Sequence, residues 1–240
     1  MSHAESTTDV PSSPSEKSPY PSDREAPTDD LDRILTDLWE RLSDAAARSR
    51  PAFHIPVLAT IRQGPHGLEP SARKVVLRHA RRGPDLHTGR DGGSDGGGVI
   101  GCHTDALGPK VAEVRANPRV AWTFYDPRAK LQVRASGTAE VQTDGTMVDA
   151  AWAATKPSAR RCYLAPHVPG LPTAAPEPNL PAAVRKRNPT PAESEPGRAQ
   201  FAVLRTAVDT LDWLHLHHAG HRRAQFHWGD GEWRGTWAAV

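Results

Sequence analysis

Cations and small polar groups recur at the ends of short apolar segments of this chain. Arg73 and Arg78 bracket the run Arg73-Lys74-Val75-Val76-Leu77-Arg78, His103-Thr104-Asp105 closes a second run, and Lys110 opens a short helical pattern. Gln132 stands between Leu131 and Val133. An arginine fork and a lysine point charge are the groups that grip a phosphate. A lysine in the first turn of a helix adds its charge to free backbone N–H groups aimed the same way. A hydroxyl such as that of Thr104 donates without adding charge, and an amide flanked by apolar residues needs a hydrogen-bond partner. Together a cation and free backbone N–H groups in this set can meet an anion. No nucleophile, acid or base stands out in it, so no catalytic side chain is assigned.

Other chemistry finds little support. The chain has no Gly-x-Ser-x-Gly elbow, no His-Glu-x-x-His and no Gly-x-Gly-x-x-Gly following a strand. The stretch Gly89–Gly98 is glycine-rich but lacks the Gly-Lys-Ser/Thr ending of a phosphate loop, and reads as a hairpin insertion. His215, His217, His218, His221 and His227 gather near the end, and His215 and His217 would share a strand face. No carboxylate or cysteine sits at matching spacing, so no metal site is expected.

Composition narrows the classes further. In 240 residues, Lys+Arg 30 against Asp+Glu 28 gives a net charge of +2, too little for a protein that coats nucleic acid. Two cysteines, Cys102 and Cys162, stand far apart and fit a reducing cytoplasm better than a disulfide scaffold. No apolar run reaches the length of a membrane span, and no signal-peptide core is present.

The elements that must position these groups follow from periodicity. Residues 1–30 are rich in Ser, Thr, Pro and charge and are expected to be a disordered tail. Leu31, Ile34, Leu35, Leu38, Trp39 and Leu42 make one helical stripe, with Asp29 or Asp30 as its cap. From Phe53 onward the period becomes that of strands, with turn signals at Asp126-Pro127, Asp144-Gly145 and Gly229-Asp230-Gly231. Helical pieces are expected at Lys110–Ala116, stopped by Asn117-Pro118, and at 146–155. A Pro/Ala-rich loop with the basic knot Arg185-Lys186-Arg187 fills 165–200. The pattern gives a mainly β chain, a tail over 1–30 and a domain over 31–240.

The order of these segments resembles the pyridoxamine 5′-phosphate oxidase-like, FMN-binding split-barrel family. The resemblance rests on Pro70-Ser71-Ala72-Arg73-Lys74-Val75-Val76-Leu77-Arg78, His103-Thr104-Asp105, Lys110-Val111-Ala112-Glu113-Val114, Asn117-Pro118-Arg119-Val120-Ala121-Trp122-Thr123-Phe124-Tyr125 and Gln132-Val133-Arg134-Ala135-Ser136-Gly137. It implies a six-stranded antiparallel split barrel with flanking helices, a cytoplasmic homodimer with FMN at the subunit interface, and hydride transfer to or from flavin with a small-molecule substrate. It further implies cofactor contacts at Arg73, Val75, Val76, Leu77, His103, Thr104, Lys110 and Gln132, with Arg73 and Lys110 on the phosphate. Arg78, Lys156 and Arg160 fall where the family binds substrate. Because Arg73 and Arg78 are an odd number of residues apart, a regular strand sends them to opposite faces.

The departures are specific. Ala106-Leu107-Gly108-Pro109 stands where the family often has a cation and a hydroxyl, and Arg222-Arg223-Ala224-Gln225-Phe226 replaces the Arg-Leu-His-Asp-Arg of the vitamin-phosphate oxidases. The expectation is therefore an FMN-dependent oxidoreductase with an altered substrate site. The alternatives are a genuine pyridoxamine/pyridoxine 5′-phosphate oxidase and a flavin-binding module without turnover.

Overall fold

The computed structural model describes residues 28–83 and 97–240. The proposed tail up to residue 27 and most of the Gly89–Gly98 stretch lie outside the described residues. The first element is helix α1 (Leu31–Ala47), whose start is fixed by the Asp30 carboxylate accepting from the backbone N–H of Asp32 at 2.9 Å and Arg33 at 3.2 Å. Its stripe of Ile34, Leu35, Leu38, Trp39, Leu42 and Ala45 is buried and continuous with the sheet core.

Strands β1 (Val57–Gly64), β2 (Gly67–Lys74), β3 (Leu77–Arg82) and β4 (Gly98–Asp105) follow, then helix α2 (Pro109–Ala116). Strands β5 (Arg119–Asp126) and β6 (Leu131–Gln142) lead to helices α3 (Thr146–Ala154), α4 (Pro157–Arg160) and α5 (Pro191–Ser194). Strand β7 (Phe201–His215) and the hairpin β8 (Arg222–Gly229) and β9 (Glu232–Ala238) end the chain. Helix α2 starts one residue before the predicted Lys110, because Pro109 suits the first helical position, and it stops at Asn117 as expected.

Among the described residues the strands form one antiparallel sheet of nine in the order β2-β1-β5-β6-β7-β4-β3, with β8 on β7 and β9 on β8. It does not close between β2 and β3, and it splits along β7. The first half of that strand pairs with β4 (Phe201↔Asp105 to Ala207↔Val99) and the second half with β8 (Thr210↔His227 to His215↔Arg222). The sheet is thus a split barrel. Its count exceeds six because the β8–β9 hairpin extends it and because Val75 and Val76 interrupt the run read as one strand, separating β2 from β3.

Trp122, Phe124, Leu58, Leu204, Leu211 and Phe226 are fully buried in the main core, where Trp122 Nε1–H donates to Thr206 Oγ1 at 3.0 Å. A second, smaller cluster of Val148, Trp152, Phe201 and Val203 packs α3 on the opposite side of β7. Gly137 is required where β6 shifts register, since a Cβ there would meet the Ala207 carbonyl oxygen at 2.0 Å.

Candidate functional site

Strand β4 separates two groups of polar side chains, because alternate residues point to opposite faces. Cys102 and Thr104 are buried on the core side, while His103 and Asp105 are half-buried on the other. On the core side, Lys110 reaches back from the first turn of α2 and its Nζ donates to Thr104 Oγ1 at 2.9 Å. Three residues further along the helix, on the same face, stands Glu113.

The Glu113 carboxylate is nearly fully buried and accepts from Arg73 Nη2 at 2.7 Å, from Ser71 Oγ at 3.2 Å and from the Thr60 hydroxyl. Arg73 also donates to Ser71 Oγ at 2.6 Å and to Thr60 Oγ1. Strand register explains the convergence: β1 and β2 pair Thr60 with Ser71 and Leu58 with Arg73, so these side chains share the face on which α2 sits. Burial pushes the Glu113 carboxyl up, but the bonds from Thr60, Arg73 and Ser71 outweigh it and hold the group below its ordinary range. Lys110 and Arg73 both act on the Cys102 thiol, which burial nevertheless pushes up to about 12. Arg73, Thr104 and Lys110 therefore gather at one end of the barrel, around a thiol that stays protonated and inert.

On the other side of β4, His103 Nδ1 lies 3.5 Å from Thr155 Oγ1 and its ring meets Phe201 edge-on at 4.8 Å. Tyr163 packs on the same Phe201 ring at 5.0 Å. Burial, then the Arg78 charge, lowers the His103 pKa to about 4, so its imidazole is neutral at physiological pH. Burial also raises the Tyr163 phenol, against a smaller opposing pull from Arg78. Arg78 thus belongs with His103 and Tyr163. The parity argument for separating it from Arg73 fails in its premise, since Val75–Val76 breaks the strand and β3 shifts register between Leu77 and His79.

Val75 N–H donates to the Pro56 carbonyl at 3.0 Å, Val76 lies between the strands, and Leu77 is buried opposite Cys102. Gln132 is elsewhere: it pairs with Tyr125, three residues from the Ala135 that is in line with Trp122, Leu58 and Arg73, and so faces away from Arg73. Lys156 is exposed at the start of α4. Arg160 is buried, with its guanidinium 4.4 Å over the Trp152 ring, donating to the Trp152 carbonyl at 2.8 Å and pairing with Glu195 at 3.3 Å. Those bonds fix it as a structural prop for α3. The basic knot is likewise bonded locally, Arg185 to the Leu180 carbonyl at 2.9 Å and Arg187 to Glu193 at 2.5 Å. Among the described residues no three metal-ligating side chains come together.

A second charged network was not anticipated from the sequence. On the outer face of the sheet, Asp212 accepts from Arg134 at 2.7 Å, Arg223 at 2.6 Å and Gln225 at 3.2 Å, along the same row as Gln132. Glu113, Thr60 and Ser71 were also missed as site residues. The spacing of Glu113 from Lys110 and of Ser71 from Arg73 held the signal, since each pair shares a face.

An open antiparallel barrel with two cations, a buried hydroxyl and the first turn of a helix at one end defines a protein that binds an anionic ligand on a β scaffold. Residues 36–143 match the family model described as pyridoxamine 5′-phosphate oxidase, FMN-binding domain, a stretch that holds Arg73, His103, Thr104, Lys110, Glu113 and Gln132 but not Lys156 or Arg160. The resemblance to the pyridoxamine 5′-phosphate oxidase-like, FMN-binding family is thereby shown over residues 36–143. Among solved structures, it is similar to a pyridoxamine 5′-phosphate oxidase-related, FMN-binding protein from Nostoc punctiforme PCC 73102, at 22% identity and a TM-score of 0.56 over 91% of this chain and 100% of that one. It is also similar to PhzG from Burkholderia lata 383, solved in complex with tetrahydrophenazine-1-carboxylic acid, at 16% identity and a TM-score of 0.57 over 87% of this chain and 92% of that one. These likenesses show the fold. No curated protein matches the chain.

The residues present fit the phosphate end of FMN. The Lys110 ammonium has three donors and uses one on Thr104; in the first turn of α2 Pro109 has no N–H and the Val111 N–H is spent on the Gly108 carbonyl at 2.9 Å, so the ammonium is the main donor there. The fit is leaner than a phosphate dianion favours, because Glu113 already holds Arg73 and Pro109 brings no charge.

Proposed function

We propose that this chain is an FMN-dependent oxidoreductase that works as a cytoplasmic homodimer on a small-molecule substrate. The reading rests on the meeting of Lys110 and Thr104 at 2.9 Å beside the Arg73 network, at the end of the barrel where α2 begins. In this reading Lys110, Thr104 and Arg73 hold the cofactor phosphate, and the Val75–Leu77 backbone and His103 border the ring. Bound FMN supplies two-electron transfer to and from its ring. The neutral imidazole of His103 can donate or accept a hydrogen bond there without bringing charge. Gln132 faces away from Arg73 within one protomer, so its role calls for a second copy to bring an outer sheet face to the site.

The substrate end falls at Arg78, with Tyr163 beside it and Lys156 on the adjoining helix. Arg160 is committed to Trp152 and Glu195, which lowers the cation count and speaks against a vitamin phosphate as substrate. PhzG was solved with tetrahydrophenazine-1-carboxylic acid; an anionic ring compound of that kind suits one exposed arginine. Residues 31–240 make up the flavin-binding unit. No helix of the described residues is long and apolar enough to cross a membrane.

Anaerobic titration of FMN-loaded protein tests the reading. NAD(P)H or an anionic reduced ring compound is expected to bleach the flavin, and oxygen to restore it. Bound flavin that none of these reduces would leave a binding module without turnover. Light scattering is expected to give twice the 26.0 kDa of one chain; a monomer that binds FMN fully would overturn the shared site.

A further inference from the structure

We propose that Glu113 sets the affinity of this site for a phosphorylated cofactor, by holding the Arg73 guanidinium in an internal ion pair so that Lys110 supplies the net positive charge. The proposal rests on the FMN reading above and concerns a residue to which that reading gives no part.

The charges alternate along one wall. Lys110 and Glu113 are neighbours on one face of α2, and Arg73 closes on Glu113 from β2 at 2.7 Å. Glu113 is held by three donors that belong to two strands, so it cannot swing aside when an anion arrives. It stays ionised in its buried position, because its bonds to Thr60, Arg73 and Ser71 outweigh burial. Two bonds of Arg73, to Ser71 and Thr60, aim the guanidinium whatever the charge on Glu113. Arg73 therefore contributes direction, while its charge is cancelled locally by a carboxylate that also repels a phosphate. An arginine in a phosphate site without such a partner would contribute both.

The phosphate separates this role from a structural one, since riboflavin is FMN without it. Glu113→Gln keeps the shape of the side chain and an acceptor for Thr60 and Arg73 while removing the charge. Wild-type protein and E113Q would each be titrated with FMN and with riboflavin, following flavin fluorescence. The expected result is an FMN Kd lower by about tenfold in E113Q with the riboflavin Kd unchanged. An unchanged or reduced preference for FMN over riboflavin, including a parallel loss of both, overturns the proposal while leaving the FMN reading intact.

Should E113Q fail to fold, the double variant R73Q/E113Q replaces the neutral pair with two amides. It gives up the hydrogen bonds of Arg73 but no net charge, and is expected to lose less of the preference for FMN than K110Q, which loses about tenfold or more. A double variant that loses as much as K110Q overturns the proposal. Wild-type protein that binds neither flavin defeats the reading beneath it, and the proposal with it.

Discussion

Two carboxylates are sunk into opposite faces of the sheet, and the contrast between them shows where usable charge is left. Glu113 meets one arginine and two hydroxyls, so its network is electrically balanced. Asp212 meets two arginines and an amide, so its network carries one positive charge in excess. In both, burial pushes the carboxyl up and the hydrogen bonds outweigh it. The surroundings differ. The Arg73 side chain is 23% exposed, whereas that of Arg134 is 51% exposed and can turn to water. A balanced, enclosed pair holds two strands and a helix together, and in the proposed site leaves ligand attraction to the neighbouring Lys110. An unbalanced, half-open cluster keeps its own excess charge at the surface.

Removing each anion should break the comparison if it is wrong. Glu113→Ala strips the part-buried Arg73 of its counter-ion and leaves the Thr60 hydroxyl only the Ser71 carbonyl at 3.2 Å as acceptor, and is expected to cost about 3 kcal/mol in urea unfolding. Asp212→Ala is expected to cost less, about 1–2 kcal/mol, because Arg134 can swing into solvent. A larger loss for Asp212→Ala than for Glu113→Ala would reverse the assignment of the enclosed network.

The pH profile sharpens the same point. His103 is neutral in the fold down to about pH 4, but the unfolded chain binds the proton near the ordinary imidazole value of 6.5. Stability should therefore fall as pH drops from 6.5 to 4, by up to about 3 kcal/mol. His103→Asn should flatten that window. Glu113 and Asp212 act lower: their depressed folded pKa values give stability that is present above the unfolded values of roughly 4.3 and 3.9 and lost as pH falls below them. Glu113→Gln and Asp212→Asn should each shorten that acid limb without touching the upper one. The smallest expected effect lies away from both networks. Thr206→Val deprives the buried Trp122 N–H of its acceptor and should cost about 1–2 kcal/mol, with flavin binding unaltered.

How far the sequence could be read depended on the range of each interaction. The α1 stripe, its Asp30 cap and the stop of α2 at Asn117 are local, and were legible. The strand break at Val75–Val76 was not, because two β-branched residues look like strand interior. Strand β7 carries no turn signal along its length. It is one strand of 15 residues, and the register shift against β6 at Ser136–Gly137 absorbs the irregularity there. The order of Arg73, Thr104 and Lys110 suggested one site; Lys110 meets Thr104 at 2.9 Å, and Arg73 meets Glu113 of the same helix at 2.7 Å. What stayed hidden is which groups answer them. Arg73 meets Thr60 and Glu113 across separations of 13 and 40 residues, and Arg134 meets Asp212 across 78. Partnerships of that length follow from register, which composition and spacing do not encode.

The central claim is that the phosphate of FMN sits at Lys110 and Thr104, beside Arg73. Equilibrium titration of wild-type protein and Lys110→Gln with FMN, at constant ionic strength, tests it most directly. Wild-type protein is expected to take up FMN with one flavin per chain, and the variant to bind FMN more weakly by about tenfold or more, with riboflavin binding unchanged. A wild-type protein that takes up no FMN, or a variant that binds it as tightly as wild type, would contradict it.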